Sequence, residues 1–219
     1  MLNIGHRGAK GLAPENTLEA LQAGYDAGAD MLEFDVRLTA DKVPILAHNP
    51  KLHGVWIRRT TYRSLKKRGT VTTLDAALDA FYGKILLNIE LKPTHDVDTI
   101  YEAIAKRCIK KLSDWDSIII SSFHVRDLLQ LRRLNPYVNL ALLHSLNPFA
   151  FVTYQRRLQL AAVGWHRLHV NNLAIEIAKK SGIFTYVYTV NRPDAAQKFE
   201  QRGIDGIVTD YPDRIQGEL

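Results

Sequence analysis

Short apolar runs alternate with amphipathic stretches along almost all of this 219-residue chain, and that alternation limits the fold more than any single motif does. A strand, a helix that returns across it and a second strand build a parallel sheet with its faces covered. Strands are expected at 31–36, 85–92, 117–123, 140–143, 167–170, 185–190 and 204–210, and Ile4-Gly-His-Arg-Gly8 reads as the end of another. The intervening helices carry their own punctuation. Asn16 is placed to cap the first, with Glu19 completing a capping box, Leu18, Leu21 and Tyr25 forming the apolar stripe and Gly28 closing the helix. Further helices are expected at 98–112, at 126–134 before Asn135-Pro136, at 149–160, at 173–180 before Gly182, and from a cap at Asn191 through 202.

With 44–48 included there are nine strands, one more than an eight-stranded barrel holds. No helix fits between Val36 and His48, so 43–48 is expected to fold back on 31–36 as a hairpin about Ala40-Asp41, in a register that sets His48 opposite Glu33. The other eight strands then close a (β/α)8 TIM barrel, an α/β fold. Repeats, low-complexity tracts and linkers are missing from the sequence. Residues 1–219 are therefore expected to form one domain, with a short inserted cap segment after His48 at about 50–73.

Composition narrows the partners. With 46% apolar and 24% charged residues the chain suits a soluble globular protein. No apolar run approaches the roughly 20 residues of a membrane span. A lone Cys108 excludes an intrachain disulfide, and Met1-Leu-Asn-Ile enters a strand rather than a basic and apolar leader, so the cytoplasm is the expected compartment. The net charge of +6 is largely local, with Arg58, Arg59, Arg63, Lys66, Lys67 and Arg68 inside eleven residues. Neither a stacking aromatic triplet nor a zinc spacing accompanies that run. No nucleic acid partner is expected, and a solvated face is the ordinary meaning of such a run.

Chemistry is concentrated where a barrel would place it. On a strand at 31–36, Glu33 and Asp35 leave one face roughly 7 Å apart. Carboxylates so close repel unless a divalent cation or a shared proton lies between them. Active sites of such barrels lie at the carboxyl ends of the strands, and there the sequence sets His6 and Arg7, Glu33 and Asp35, Glu90 and Lys92, Ser122, Asn191 and Asp210. Glu90 and Lys92 belong to an otherwise apolar run, where they must pair with each other or serve a ligand.

His6-Arg7-Gly8, Pro14-Glu-Asn-Thr17, Glu33-Phe-Asp-Val36 with Leu38-Thr39, His48, Ile89-Glu-Leu-Lys92, Ser121-Ser-Phe123, Tyr188-Thr-Val-Asn191 and Asp205-Gly-Ile-Val-Thr-Asp-Tyr-Pro212 follow in an order that resembles the glycerophosphodiester phosphodiesterases. The resemblance implies a phosphoric diester hydrolase that releases sn-glycerol 3-phosphate and an alcohol from a small glycerophosphodiester. It also implies one divalent cation, Mg²⁺ or Ca²⁺, on Glu33, Asp35 and Glu90. His6 and His48 would be the acid-base pair, Arg7 and Lys92 would neutralise charge on the phosphoryl oxygens, and Tyr188 would wall the substrate pocket. Water and the neighbouring glycerol hydroxyl both remain open as nucleophile.

The chain departs from the family's usual pattern in three places. Asn49 stands where Asp usually follows the second histidine, Tyr188 stands where Trp is usual, and the 50–73 segment is short, which implies an open pocket. Two other readings share these residues. One is a sphingomyelinase D-type phospholipase with Val55, Trp56 and Ile57 as an apolar rim, and the other is a barrel that binds phosphodiesters or polyanions without turnover.

Overall fold

The computed structural model describes residues 1–94 and 96–215. In chain order the strands are β1 (Leu2–Gly5), β2 (Met31–Leu38), β3 (Pro44–Leu46), β4 (Lys51–Leu52), β5 (Val55–Trp56), β6 (Leu86–Leu91), β7 (Ile118–Ser122), β8 (Asn139–His144), β9 (Ala162–His166), β10 (Phe184–Tyr188) and β11 (Gly206–Thr209). The α-helices are α1 (Leu18–Asp26), α2 (Tyr62–Lys66), α3 (Leu74–Phe81), α4 (Val97–Cys108), α5 (Val125–Leu134), α6 (Ala150–Leu158), α7 (Asn172–Lys180) and α8 (Pro193–Gln201). Strands β1, β2 and β6 to β11 are parallel neighbours, and β1 pairs with both β2 and β11, so the sheet closes into an eight-stranded TIM barrel. Among the described residues no helix is long and apolar enough to cross a membrane.

Alternation along each strand separates two cores. On β2, Leu32, Phe34 and Val36 pack outward with helix residues such as Leu21 and Leu78. Met31 points the other way and joins Ile4, Leu143, Tyr186 and Val208 inside the barrel. Side chains two residues apart share a face of a strand. Glu33 and Asp35 therefore follow Met31 inward, toward the carboxyl end.

The hairpin expected at 36–48 is present, since β3 runs antiparallel to β2 outside the closed barrel. Its register is one residue off. Val36 faces Leu46 and the Ala47 amide donates to the Asp35 carbonyl, so continuing the pairing sets His48 across from Phe34 rather than Glu33. The turn explains the slip, because Lys42 at φ 60° and a Thr39 carbonyl that accepts from the Lys42 amide add one residue to the bend. After His48, the β4–β5 hairpin and α2 are pinned on this arm by Ile57 and Leu65, buried against Ile45 and Ala47. Of the apolar rim expected from Val55, Trp56 and Ile57, only Trp56 is exposed.

Other expectations need correction. The strand expected at 167–170 is a turn, and the barrel strand is Ala162–His166. Gly164 hid it: a side chain there would collide with Leu143 and Tyr186, which fill that part of the interior. Thr17, not Asn16, caps α1 by accepting from the Ala20 amide. Asn191 does not cap α8 either, because the helix begins at Pro193. Helix α4 ends at Cys108, short of 112. Both displaced asparagines serve the barrel mouth.

Gly8 fixes the β1–α1 loop. Its φ is +85°, and a Cβ there would lie 2.3 Å from the main-chain carbon of Ala20, so neither the backbone nor the space admits a side chain. Gly8→Ala is expected to lower stability by more than about 2 kcal/mol, read as a reduced denaturation midpoint with unchanged slope. A midpoint equal to that of the parent protein would contradict this packing.

Candidate active site

Strands β1, β2 and β6 deliver the charged groups. Beyond β1 the His6 amide donates to the Thr209 carbonyl, and the chain turns through Arg7 at φ 52°. That turn aims the Arg7 amide at Glu33 Oε2, 2.9 Å away. On the neighbouring strands Asp35 and Glu90 are direct register partners, and like charges so placed repel. Lys92, two residues further along the same face, answers them: its ammonium lies 2.8 Å from Asp35 Oδ1 and also pairs with Glu90. Asn16, held at φ 58°, donates to Asp35 Oδ2 at 2.9 Å and accepts from the Asp35 amide.

Glu33, Asp35 and Glu90 are all buried, and one oxygen from each lies within 4.8 Å of the others. Lys92 and Arg7, whose Nε is 3.4 Å from Asp35 Oδ2, bring two positive charges to three carboxylates. Glu33 Oε1 is buried with no hydrogen-bond partner. Burial, reinforced by Asp35 and Glu90, raises the Glu33 pKa well above the ordinary carboxylate range. Burial and then Asp35 push Glu90 up to about 7. Burial would raise Asp35 too, but Lys92 and Asn16 outweigh it and hold Asp35 below its usual value. A hard divalent cation takes oxygen ligands of this kind, and the unpartnered Glu33 oxygen fits one.

The two histidines are held differently. His6 Nδ1 lies 2.6 Å from Asp210 Oδ1, and the other Asp210 oxygen accepts from Asn191 Nδ2 at 2.8 Å. Asn191 Oδ1 in turn accepts from the Asp210 amide. His48 Nδ1 meets Asn49 Oδ1 at 3.1 Å, and its carbonyl accepts from Arg37 Nε and Nη2. Burial lowers the pKa of both rings, against the pull of Asp210 for His6 and with the help of the Lys92 charge for His48.

These groups line one cavity of about 150 Å³ in which His6, Arg7, Glu33, His48, Glu90 and Lys92 all take part. A second cavity of about 290 Å³ shares His48, Glu90 and Lys92 and continues outward past Arg37, Asn49 and His124. Tyr188 and Phe123 meet edge to face at 6.0 Å on the wall of the first cavity. The Tyr188 hydroxyl donates to the His144 carbonyl, which leaves the ring as its free surface. All eight residues singled out from sequence, namely His6, His48, Arg7, Lys92, Tyr188, Glu33, Asp35 and Glu90, therefore border the same mouth. Asn16 and Arg37 carry no site signal in the sequence, and Asn191 and Asp210 stand at strand ends without a specific role. Asn16 and Asn191 carry helix-cap signals, and Asp210 has no partner that sequence can name.

The Glycerophosphoryl diester phosphodiesterase family model matches residues 6–214. The Bacillus subtilis protein YhdW is 30% identical over 98% of this chain and 96% of its own length. A glycerophosphodiester phosphodiesterase of Caldanaerobacter subterraneus is 26% identical over 98% of this chain and 96% of its own. The chain is also similar to the solved structure of an Oleispira antarctica phosphodiesterase in complex with the product sn-glycerol 3-phosphate. That comparison gives a TM-score of 0.87 at 26% identity, over 99% of this chain and 95% of that one.

The carboxylate cluster sets the response to pH and cations. In chelator, the unfolded state ionises Glu90 near 4.5 while the folded state holds its proton to about 7. Stability should therefore fall as pH rises through that window. Mg²⁺ or Ca²⁺ at about 100 times its dissociation constant should raise the melting temperature by about 5 to 10 °C and release protons near pH 6.5. No shift with any divalent cation would contradict a metal site here.

Proposed function

The chain belongs to the glycerophosphoryl diester phosphodiesterase family, and from that premise we propose that it hydrolyses small glycerophosphodiesters to sn-glycerol 3-phosphate and an alcohol with one divalent cation, Mg²⁺ or Ca²⁺. We take 1–219 as one catalytic domain working in the cytoplasm. The observation that carries this reading is the meeting of three buried carboxylates, one oxygen of them unpartnered, at a cavity that Glu33, Glu90, His6 and His48 line. Similarity to an enzyme solved with sn-glycerol 3-phosphate supports the substrate class.

Glu33, Asp35 and Glu90 would hold the cation. Bound there, it would act as a Lewis acid toward a phosphate oxygen. The protein's own groups supply the rest. Asp210 accepts from His6, so Nδ1 carries the proton and Nε2 is the nitrogen left for catalysis. When that nitrogen takes a proton from the nucleophile, the Asp210 charge steadies the imidazolium, and His6 is accordingly the base. His48 is partly buried and close to the Lys92 charge, both of which favour giving a proton up, and only the neutral Asn49 amide oxygen rather than a carboxylate hydrogen-bonds its ring. It is the acid toward the leaving oxygen. Arg7 and Lys92 border the cavity and offset charge on the phosphoryl oxygens. The outer cavity past Asn49 and His124 offers room for the alcohol.

Release of glycerol 3-phosphate from several glycerophosphodiesters, with and without chelator, tests the activity. His6→Ala or His48→Ala should lower kcat by about 10² to 10⁴ with divalent affinity nearly unchanged, whereas Glu33→Ala, Asp35→Ala or Glu90→Ala should remove both. Near-parent turnover of the His48→Ala protein, or full activity in chelator, would overturn this assignment.

A further inference from the structure

The charge of this protein is segregated. From Lys42 to Leu74 inclusive there are eight Lys and Arg and no Asp or Glu, which leaves 21 of the 29 basic residues against all 23 acidic ones in the rest of the chain. A protein with a net charge of +6 is thus a slightly acidic barrel carrying one strongly basic segment. Lys42 is paired with Asp96. Lys51, Arg58, Arg59, Arg63 and the run Lys66-Lys67-Arg68 are exposed, and among the described residues none of them meets a carboxylate. No ion pair of these charges holds the segment in place. Ile57 and Leu65 do that from beneath.

The same segment exposes an aromatic ring. Trp56 is 42% exposed at the end of β5, while its neighbour Ile57 is buried, and Lys51 Nζ lies 4.9 Å from the centre of its ring. Tryptophan beside lysine suits the boundary between lipid headgroups and acyl chains, and a cluster of Lys and Arg is drawn to an anionic leaflet within a Debye length. Nucleic acid would use the charge, but one tryptophan offers no row of stacking surfaces. We propose that the segment from Lys51 to Arg68 docks the protein reversibly on an anionic lipid bilayer. It begins directly after Asn49 and Pro50, which line the outer cavity, so docking would bring the mouth of the barrel close to the lipid surface. This inference does not depend on which diester is cleaved.

Co-sedimentation of the full chain with phosphatidylcholine vesicles, with and without about 30 mol% phosphatidylglycerol, tests it. Binding should appear only with the anionic lipid and weaken at least about tenfold between low and high salt. R58E/R59E/K66E/K67E should abolish it, and Trp56→Ala should weaken it about threefold, with turnover of a soluble diester retained in both. Equal affinity for the two vesicle types, or undiminished binding by the charge-reversed protein, would overturn the proposal. So would tighter binding to duplex DNA than to anionic vesicles at one ionic strength. Loss of kcat/KM on the soluble diester with vesicle binding intact would assign the charge to substrate steering instead.

Discussion

Repulsion among Glu33, Asp35 and Glu90 is the constraint around which the mouth of the barrel is built. Each is buried, and two are direct partners on adjacent strands. Burying a charge without compensation costs several kcal/mol, on the order of the whole stability of a domain. The neighbouring groups act as compensation. Lys92 lies between Asp35 and Glu90, Asn16 presents both amide atoms to Asp35, and the Arg7 amide reaches Glu33. Arg7 and Asn16 do this from left-handed backbone at φ 52° and 58°, a conformation that persists only where surrounding contacts over-determine it. The compensation is incomplete, since Glu33 keeps an unpartnered oxygen. A chain selected for stability alone would have an apolar residue there.

The two histidines are held at that mouth by different partners. His6 is tied through Asp210 and Asn191 to the last barrel strand, a network that closes on the Asp210 main chain. His48 stands outside the closed sheet, one residue past the point where the β2–β3 arm leaves the Asp35 carbonyl, and Arg37 grips its carbonyl with two N–H groups. Under the proposed mechanism, these unequal partners would separate the roles of acid and base between the two rings.

Much of this was legible in the sequence for a physical reason. Strand and helix periods survive in long amphipathic runs, so the expected bounds of β2, β6, β7 and β10 agree with the structure to within two residues, and the hairpin follows from a missing helix. Packing across the barrel leaves no such trace. Gly164 exists because Tyr186 occupies its space, and nothing local to Ala162–His166 announces that. Asn16 and Asn191 read as caps because capping is what such residues do with nearby backbone. Their actual partners, Asp35 and Asp210, are 19 residues away in each case. Hydrogen bonds over that separation depend on successive parallel strands pairing, β1 with β2 and β10 with β11, which period and propensity do not encode.

Whether the three carboxylates share one ion is decided by a crystal grown with Mn²⁺ and read through anomalous scattering. A single peak bonded at about 2.0 to 2.6 Å to oxygens of Glu33, Asp35 and Glu90 is the predicted result. Carboxylates still bridged by Lys92, with no peak between them at millimolar Mn²⁺, would contradict it and make the cluster a buried ion-pair network.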